Sequence, residues 1–221
     1  MFAYHFSFDL NYYHFIETNF YNNPFWIYFR IVIVSLFLWL VGVSLWLASQ
    51  NGLKLARITK RLGWLILAAA LVSYSSYLTF PGSYIFFGIL HFIIVASLVG
   101  LLFVRLYYSN LFLGILLIII GTTVSSPIFT DNALQWFGLM PHKPVTEDYV
   151  PFLPWFGVVL TGLFSGQFIF KQRHLTFIAR WREKTKLQST ISCMGRHSLI
   201  IYLLHQPLFM GILFVFNLML H

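Results

Sequence analysis

The fold of this chain is decided by the stretch IYFRIVIVSLFLWLVGVSLWLAS, residues 27–49. Its only charged residue is Arg30, and polar and apolar positions do not alternate along it. A bilayer core about 30 Å thick is crossed by about twenty helical residues. Because unpaired backbone amides are costly in lipid, we expect this stretch to form a membrane-spanning helix.

Five further apolar segments resemble the first in length and are also rich in Leu, Ile, Val and Phe: residues 62–80, 84–104, 111–127, 152–170 and 198–220. Hydrophobic residues make up 59% of the chain and charged residues 9%, whereas a soluble domain carries roughly a quarter charged residues. The sequence therefore predicts an all-α, polytopic transmembrane helix bundle with six complete spans, in a single domain over residues 1–221.

The first thirteen residues are apolar and aromatic but too few to cross a bilayer. Because successive spans alternate in direction, residues 1–13 are expected to be the outer half of a truncated first span. The missing half would need about fifteen more residues upstream.

Basic residues collect between alternate spans. They lie in residues 53–62, in residues 171–186 and beside Arg105, whereas residues 79–84 and 128–151 are neutral or acidic. By the positive-inside rule, the basic loops face the cytoplasm across the inner or plasma membrane, and the C-terminus lies outside. This pattern accounts for the net charge of +8 without a nucleic-acid partner.

Cysteine usage argues against a structural metal or a disulfide. Cys193 is the only cysteine, so no internal disulfide can form and no zinc-type spacing exists. We therefore expect no metal.

The first candidate site lies in YHFSFD, residues 4–9. His5 and Asp9 are four residues apart, so they share one face of a helix. A carboxylate beside an imidazole fixes its tautomer and stabilises its protonated form, as a general base requires. Alternatively, Asp9 caps the helix or meets interfacial water while His5 packs against a neighbour. His14, nearer to water, is a further candidate.

The second candidate site lies in GRHSLIIYLLHQP, residues 195–207. Helical spacing aligns a hydroxyl, a phenol, an imidazole and a phenyl ring, those of Ser198, Tyr202, His205 and Phe209. Pro207 cannot donate to the carbonyl four residues earlier, so a bend is expected beside His205. The alternative is a kinked packing helix with a hydrogen-bonded histidine.

Two weaker possibilities concern ligands. Arg196, with Ser198 beside it, and the basic loops would meet the phosphates of a coenzyme on the cytoplasmic side. His91 paired with His205 would be a haem ligand set, for which nothing else in the sequence argues.

Several of these stretches together resemble one membrane family. They are YHFSFDL at 4–10, FLWLVGVS at 37–44, FGILHF at 87–92, DYVPFLPWFG at 148–157 and GRHSLIIYLLHQP at 195–207. In order and spacing they are similar to bacterial members of the heparan-alpha-glucosaminide N-acetyltransferase catalytic-domain-like family, related to the acyltransferase-3 enzymes. The likeness covers nearly the whole chain.

The resemblance implies a polytopic acyltransferase that carries an acetyl group from cytoplasmic acetyl-CoA to a sugar amine or hydroxyl across the membrane. A histidine would act as base or transient acyl carrier. His5 corresponds to the first-helix histidine of the acyltransferase-3 enzymes, whereas the lysosomal member's active histidine lies nearer His14. The chain departs from its relatives in lacking their early Asp-x-x-Arg-Gly motif.

The resulting hypothesis is a membrane-bound O- or N-acyltransferase with acetyl-CoA as co-substrate and a glycan or lipid-linked sugar as acceptor. His5, oriented by Asp9, would deprotonate the acceptor or take the acyl group. Tyr202 and His205 would line the passage or polarise the thioester carbonyl. The lipid bilayer is a further partner, and a homo-oligomer is compatible with the sequence.

Two other classes of function use the same residues. In a proton-coupled transporter or flippase the histidines would relay protons, but such proteins often show paired repeats and broken helices, and no repeat is evident here. In a non-catalytic scaffold, substituting the histidines would change only stability.

Overall fold

The computed structural model describes residues 1–20, 22–50, 52, 55–171 and 185–220. Within these residues the chain forms eight α-helices and no strand, which confirms the all-α prediction. The helices are α1 Phe2–Tyr12, α2 Pro24–Gln50, α3 Leu55–Thr79, α4 Ile89–Phe103, α5 Tyr108–Thr123, α6 Phe152–Lys171, α7 Lys186–Arg196 and α8 Ser198–Leu220. Two 3-10 turns, Pro127–Thr130 and Gln135–Phe137, lie between α5 and α6.

Four helices are long and apolar enough to cross a membrane: Pro24–Gln50, Ala56–Thr79, Phe152–Phe170 and Ser198–Met219. Helices α4 and α5 have 15 and 16 residues, about 22–24 Å at the α-helical rise. They are shorter than a bilayer core of about 30 Å. The count of six complete spans therefore stays a prediction.

Two of the helices begin at different residues from those that the sequence predicts. Residues 84–88 form a connection before α4 rather than its first turns. Arg57, Lys60 and Arg61, expected in a loop, lie in the first turns of α3. In the second basic loop, residues 172–184 lie outside the described residues, as does His221.

The chain divides into two compact units. The first contains α1, α2 as far as Val34, α7 and α8, and the second contains the rest of α2 with α3, α4, α5 and α6.

In the second unit, α2 and α6 approach closely at two glycines. A Cβ at Gly42 would collide with the Val159 carbonyl oxygen, and a Cβ at Gly162 would collide with the Trp39 carbonyl oxygen. The Trp39 indole N–H donates to Ser165 Oγ at 3.1 Å across the same contact. Small residues allow such close packing of helices in lipid, where no hydrophobic effect drives helices together.

Helix α6 makes a similar contact with α5. A Cβ at Gly157 would lie 2.5 Å from the Gly114 carbonyl oxygen, and one at Gly114 would lie 2.9 Å from the Gly157 carbonyl oxygen. The core of this unit includes Phe156, Val159 and Leu163 of α6, which are at most 2% exposed. The absence of a Cβ at these glycines thus lets the backbones of α2 and α5 pack directly against α6.

The sequence DYVPFLPWFG has a structural role in this unit. Asp148 Oδ2 accepts a hydrogen bond from the Ile89 backbone N–H at 2.8 Å. A carboxylate at a helix N-terminus pairs an orphan N–H and complements the helix dipole. The Tyr149 hydroxyl donates to the Gln135 carbonyl at 2.7 Å, and burial raises the pKa of Tyr149 to about 12, so it remains a donor at neutral pH.

The other end of α4 is closed by two buried amides. Asn110 Nδ2 donates to the Phe103 carbonyl at 3.0 Å, and Gln167 Nε2 donates to the Val104 carbonyl at 2.8 Å. The exposed fractions of the two side chains are 0% and 5%. These amides satisfy carbonyls that the end of a helix leaves without an intrahelical donor.

We expect Gly42→Ala to destabilise the protein by about 1–3 kcal/mol, because the added methyl meets backbone atoms that cannot move aside. Gly63→Ala in α3 is the matched control, since a Cβ there meets nothing within 4 Å. Replacing a helical glycine by alanine in open space should stabilise by about 0.5–1 kcal/mol. Thermal unfolding of the detergent-purified variants measures both, and equal shifts would contradict this packing.

Candidate active site

The two sets of residues singled out in the sequence meet inside the first unit. Helices α1 and α8 pack together, and the ring centroids of His5 and His205 lie 4.9 Å apart at an interplanar angle of 71°. His205 is buried and His5 is half-buried. The structure therefore joins two imidazoles that the sequence places 200 residues apart.

Aromatic rings surround His205. The centroid distances from its ring are 5.6 Å to Phe2, 5.5 Å to Tyr202 and 6.0 Å to Phe209. Tyr202 and Phe209 thus share a face of α8 with His205, as their spacing predicts. Pro207 lies inside α8, two residues beyond the histidine.

The tautomer of His205 follows from its backbone contact. Its Nδ1 lies 2.5 Å from the Tyr202 carbonyl oxygen. A carbonyl can only accept, so Nδ1 carries the proton and the lone pair of the neutral ring is on Nε2. Nε2 is buried and has no hydrogen-bond partner among the described residues. A buried imidazole nitrogen with an unused lone pair can accept a proton or attack an electrophile.

Asp9 makes a different contact from the expected one. Its Oδ1 accepts a hydrogen bond from Gln206 Nε2 at 2.9 Å, and no hydrogen bond joins it to His5 in the described structure. The interpretation that Asp9 orients His5 is therefore corrected: packing of α8 on α1 brings the Gln206 amide to the carboxylate. Asp9 is 1% exposed, and its Oδ2 is buried without a partner among the described residues.

Helix α1 is held from two sides. Tyr4 makes edge contacts with Phe20 and Trp26, at centroid distances of 5.8 and 5.9 Å. At its other end, the Tyr13 hydroxyl donates to the Met210 carbonyl at 3.3 Å. An eleven-residue helix is marginal by itself, so these contacts fix where His5 lies.

His14 lies outside the histidine pair. It follows the end of α1 with φ 61°, its N–H donates to the Asn11 carbonyl at 3.1 Å, and the Phe15 N–H donates to the Leu10 carbonyl at 2.9 Å. These are the two bonds of a Schellman motif, with His14 at the left-handed position usually taken by glycine. The structure thus gives His14 a role in ending the helix.

The residues expected at the donor's phosphates lie at the start of α8. Arg196 is the last residue of α7, Ser198 is the first of α8, and both are exposed. His205 lies seven residues further, about 10 Å along the helix axis. Their role toward the donor stays a prediction.

His91 belongs to the second unit, where its Nε2 lies 3.3 Å from Ser73 Oγ. Among the described residues, no three His, Cys, Asp or Glu side chains are grouped so that they could hold a metal ion.

The sequence analysis missed Gln206, Phe2 and helix α7. A signal for Gln206 was present, because a buried carboxylate in an apolar helix needs a donor and Gln206 adjoins the candidate histidine. For α7 the signal was the capping-box pattern of Thr185 and Gln188.

One comparison with known proteins gave a match. A family model described as "Heparan-alpha-glucosaminide N-acetyltransferase, catalytic" matches residues 1–207. No curated protein and no solved structure matches the chain.

We expect Gln206→Leu to destabilise the protein by about 2–3 kcal/mol, because it removes the donor to a buried carboxylate. Asp9→Leu alone should also destabilise, by leaving the amide unpaired. The double variant Asp9→Leu/Gln206→Leu contains neither an unpaired carboxylate nor an unpaired amide. It should therefore be more stable than the sum of the two single losses predicts. Thermal unfolding gives the coupling, and strict additivity would rule out this hydrogen bond.

At His14 we expect His14→Gly to keep the stability and the activity, because glycine adopts a positive φ without a Cβ penalty. His14→Val should lower the stability by about 1 kcal/mol or more, because a β-branched residue is strained there. Unfolding and transfer assays on both variants decide the role of this residue. Loss of activity in a folded His14→Gly protein would make His14 catalytic after all.

Proposed function

The chain belongs to the heparan-alpha-glucosaminide N-acetyltransferase catalytic family, and from this membership we propose that it transfers an acyl group from acyl-CoA to a sugar. Family membership and the apolar helices make it an integral membrane protein of an acetyltransferase family. The donor, proposed to be acetyl-CoA, would approach from the cytoplasm. The acceptor would be a hydroxyl or amine of a glycan or lipid-linked sugar on the far side of the cell membrane.

The observation that carries the proposal is the contact between His5 and the buried His205 within a cluster of aromatic rings. Burial keeps water from competing for the thioester. Acyl transfer needs a base for the acceptor or a nucleophile for the donor, and imidazole serves as both.

In the direct route, His205 Nε2 accepts the proton of the acceptor hydroxyl or amine. The freed oxygen or nitrogen attacks the thioester carbonyl carbon, the C–S bond breaks, and CoA leaves as the thiolate. The protonated His205 then returns this proton to the sulfur of the leaving thiolate. The Tyr202 carbonyl stabilises the imidazolium through its hydrogen bond to Nδ1.

In the two-step route, a histidine nitrogen attacks the thioester and CoA leaves before the acceptor binds. The acylimidazole then gives its acyl group to the sugar and regenerates the free histidine. Having two imidazoles in contact suits this route, because one can carry the acyl group while the other moves the acceptor's proton.

Polar groups on α1, on α8 and at the junction of α7 with α8 would bind the substrates. Asp9 Oδ2 is an unused acceptor for a sugar hydroxyl or amine. Arg196 at the end of α7 and Ser198 at the start of α8 would meet the donor's phosphates. The Tyr202 phenol would polarise the thioester carbonyl or line the passage.

We expect His205→Ala to reduce acyl transfer by at least about 100-fold, because general base or nucleophilic catalysis is lost. The assay uses inverted membrane vesicles containing the protein, whose cytoplasmic face meets labelled acetyl-CoA added outside, and follows CoA release and label in glycan, lipid and protein. His5→Ala should also impair transfer. If the two-step route operates, label accumulates on the parent protein when the acceptor is absent.

His142→Ala is the matched control, since His142 is exposed in the α5–α6 connection. It should transfer at the parent rate. Folded His5→Ala and His205→Ala proteins with undiminished CoA release would overturn the mechanism. A parent protein that neither binds acyl-CoA nor transfers label, yet moves protons through His205, would be a transporter instead.

A further inference from the structure

Helix α7 has a sharply divided surface. Leu187, Ile191 and Met194 follow the i, i+4, i+7 spacing of one helical face and are 70%, 60% and 45% exposed. The remaining arc is polar and carries Lys186, Ser189, Ser192, Cys193 and Arg196. An amphipathic surface of this kind is typical of a helix whose apolar face is buried in a protein core or in a membrane interface.

Hydrogen bonds local to the sequence cap the start of α7. The Gln188 N–H donates to Thr185 Oγ1 at 3.3 Å, and the Thr185 N–H donates to Gln188 Oε1 at 3.2 Å. This reciprocal capping box satisfies two backbone donors at the start of α7. The helix therefore begins at Lys186 independently of the apolar span that follows.

The position of α7 relative to the membrane follows from the adjoining helix α8. Only His197 separates α7 from α8, whose segment Ser198–Met219 is long and apolar enough to cross a membrane. Eleven residues measure about 16 Å, too short to cross a bilayer. An amphipathic helix joined so closely to a span must lie near the membrane boundary.

We propose that α7 lies in the plane of the membrane and binds a surface of anionic phospholipid. Leu187, Ile191 and Met194 insert between the headgroups and the acyl chains. Lys186, at the start of the helix, meets a lipid phosphate. The chain's net charge of +8 favours an anionic lipid surface over a neutral one, and it disfavours a second copy of the same basic chain.

The single cysteine makes the test direct. Cys193 is exposed on the polar arc, so a nitroxide label can be attached there without any substitution. In a Cys193→Ser background, Leu187→Cys, Ile191→Cys and Met194→Cys report on the apolar arc, and Ser189→Cys and Ser192→Cys report on the polar arc. Each labelled full-length protein is placed in nanodiscs of phosphatidylcholine with and without phosphatidylglycerol.

We expect labels on the apolar arc to be at least about threefold more accessible to oxygen than to a water-soluble nickel complex, relative to labels on the polar arc. Adding phosphatidylglycerol should deepen labels at 187 and 191. Lys186→Gln should weaken that response while leaving the pattern in neutral lipid unchanged.

Two outcomes would overturn the proposal. Equal access of the nickel complex at all five substituted positions would place α7 in water. Apolar-arc labels protected from both oxygen and nickel would indicate that protein covers them, and distance measurements between labels would then show whether it is a second copy. Neither outcome depends on the acyltransferase proposal, which the transfer assay tests separately.

Discussion

The hydrogen bond from the Gln206 amide to the Asp9 carboxylate, 2.9 Å long, joins α1 to α8. Asp9 is almost fully buried in an apolar setting, where a carboxylate without a donor is strongly destabilising. Helix α1 is too short to be stable alone, so this bond and the aromatic contacts of Tyr4 determine its position. The contact between His5 and His205 depends on that position, and with it the candidate chemistry.

The same requirement shapes the second unit. The ends of α4 present backbone groups that lipid cannot satisfy, and Asp148, Asn110 and Gln167 pair with them instead. Polar side chains within apolar sequence therefore serve two purposes here. Those of the second unit close helix ends through hydrogen bonds to the backbone, whereas Asp9 and His205 are ionisable groups at the contact between α1 and α8. The contact between two imidazoles, rather than polarity alone, distinguishes the candidate site from structural support.

Sequence reasoning found His5 and His205 because ionisable groups in apolar helices are costly and conspicuous. It assigned Asp9 to His5 because spacing of four residues is the only proximity visible along a single helix. The actual partner, Gln206, is 197 residues away. His14 was a further candidate by residue type, but its positive φ shows a residue that ends a helix.

The sequence by itself determined the all-α class, the membrane setting and the family, because hydropathy and helical periodicity are properties of neighbouring residues. Tertiary structure decided where α4 begins and which donor reaches Asp9. Contacts with the backbone, visible only in the structure, decided which nitrogen of His205 carries the proton and that a capped helix precedes α8. These features depend on geometry that spacing along the chain does not encode: on groups far apart in sequence that the packed helices bring within hydrogen-bond distance, and on the local path of the backbone.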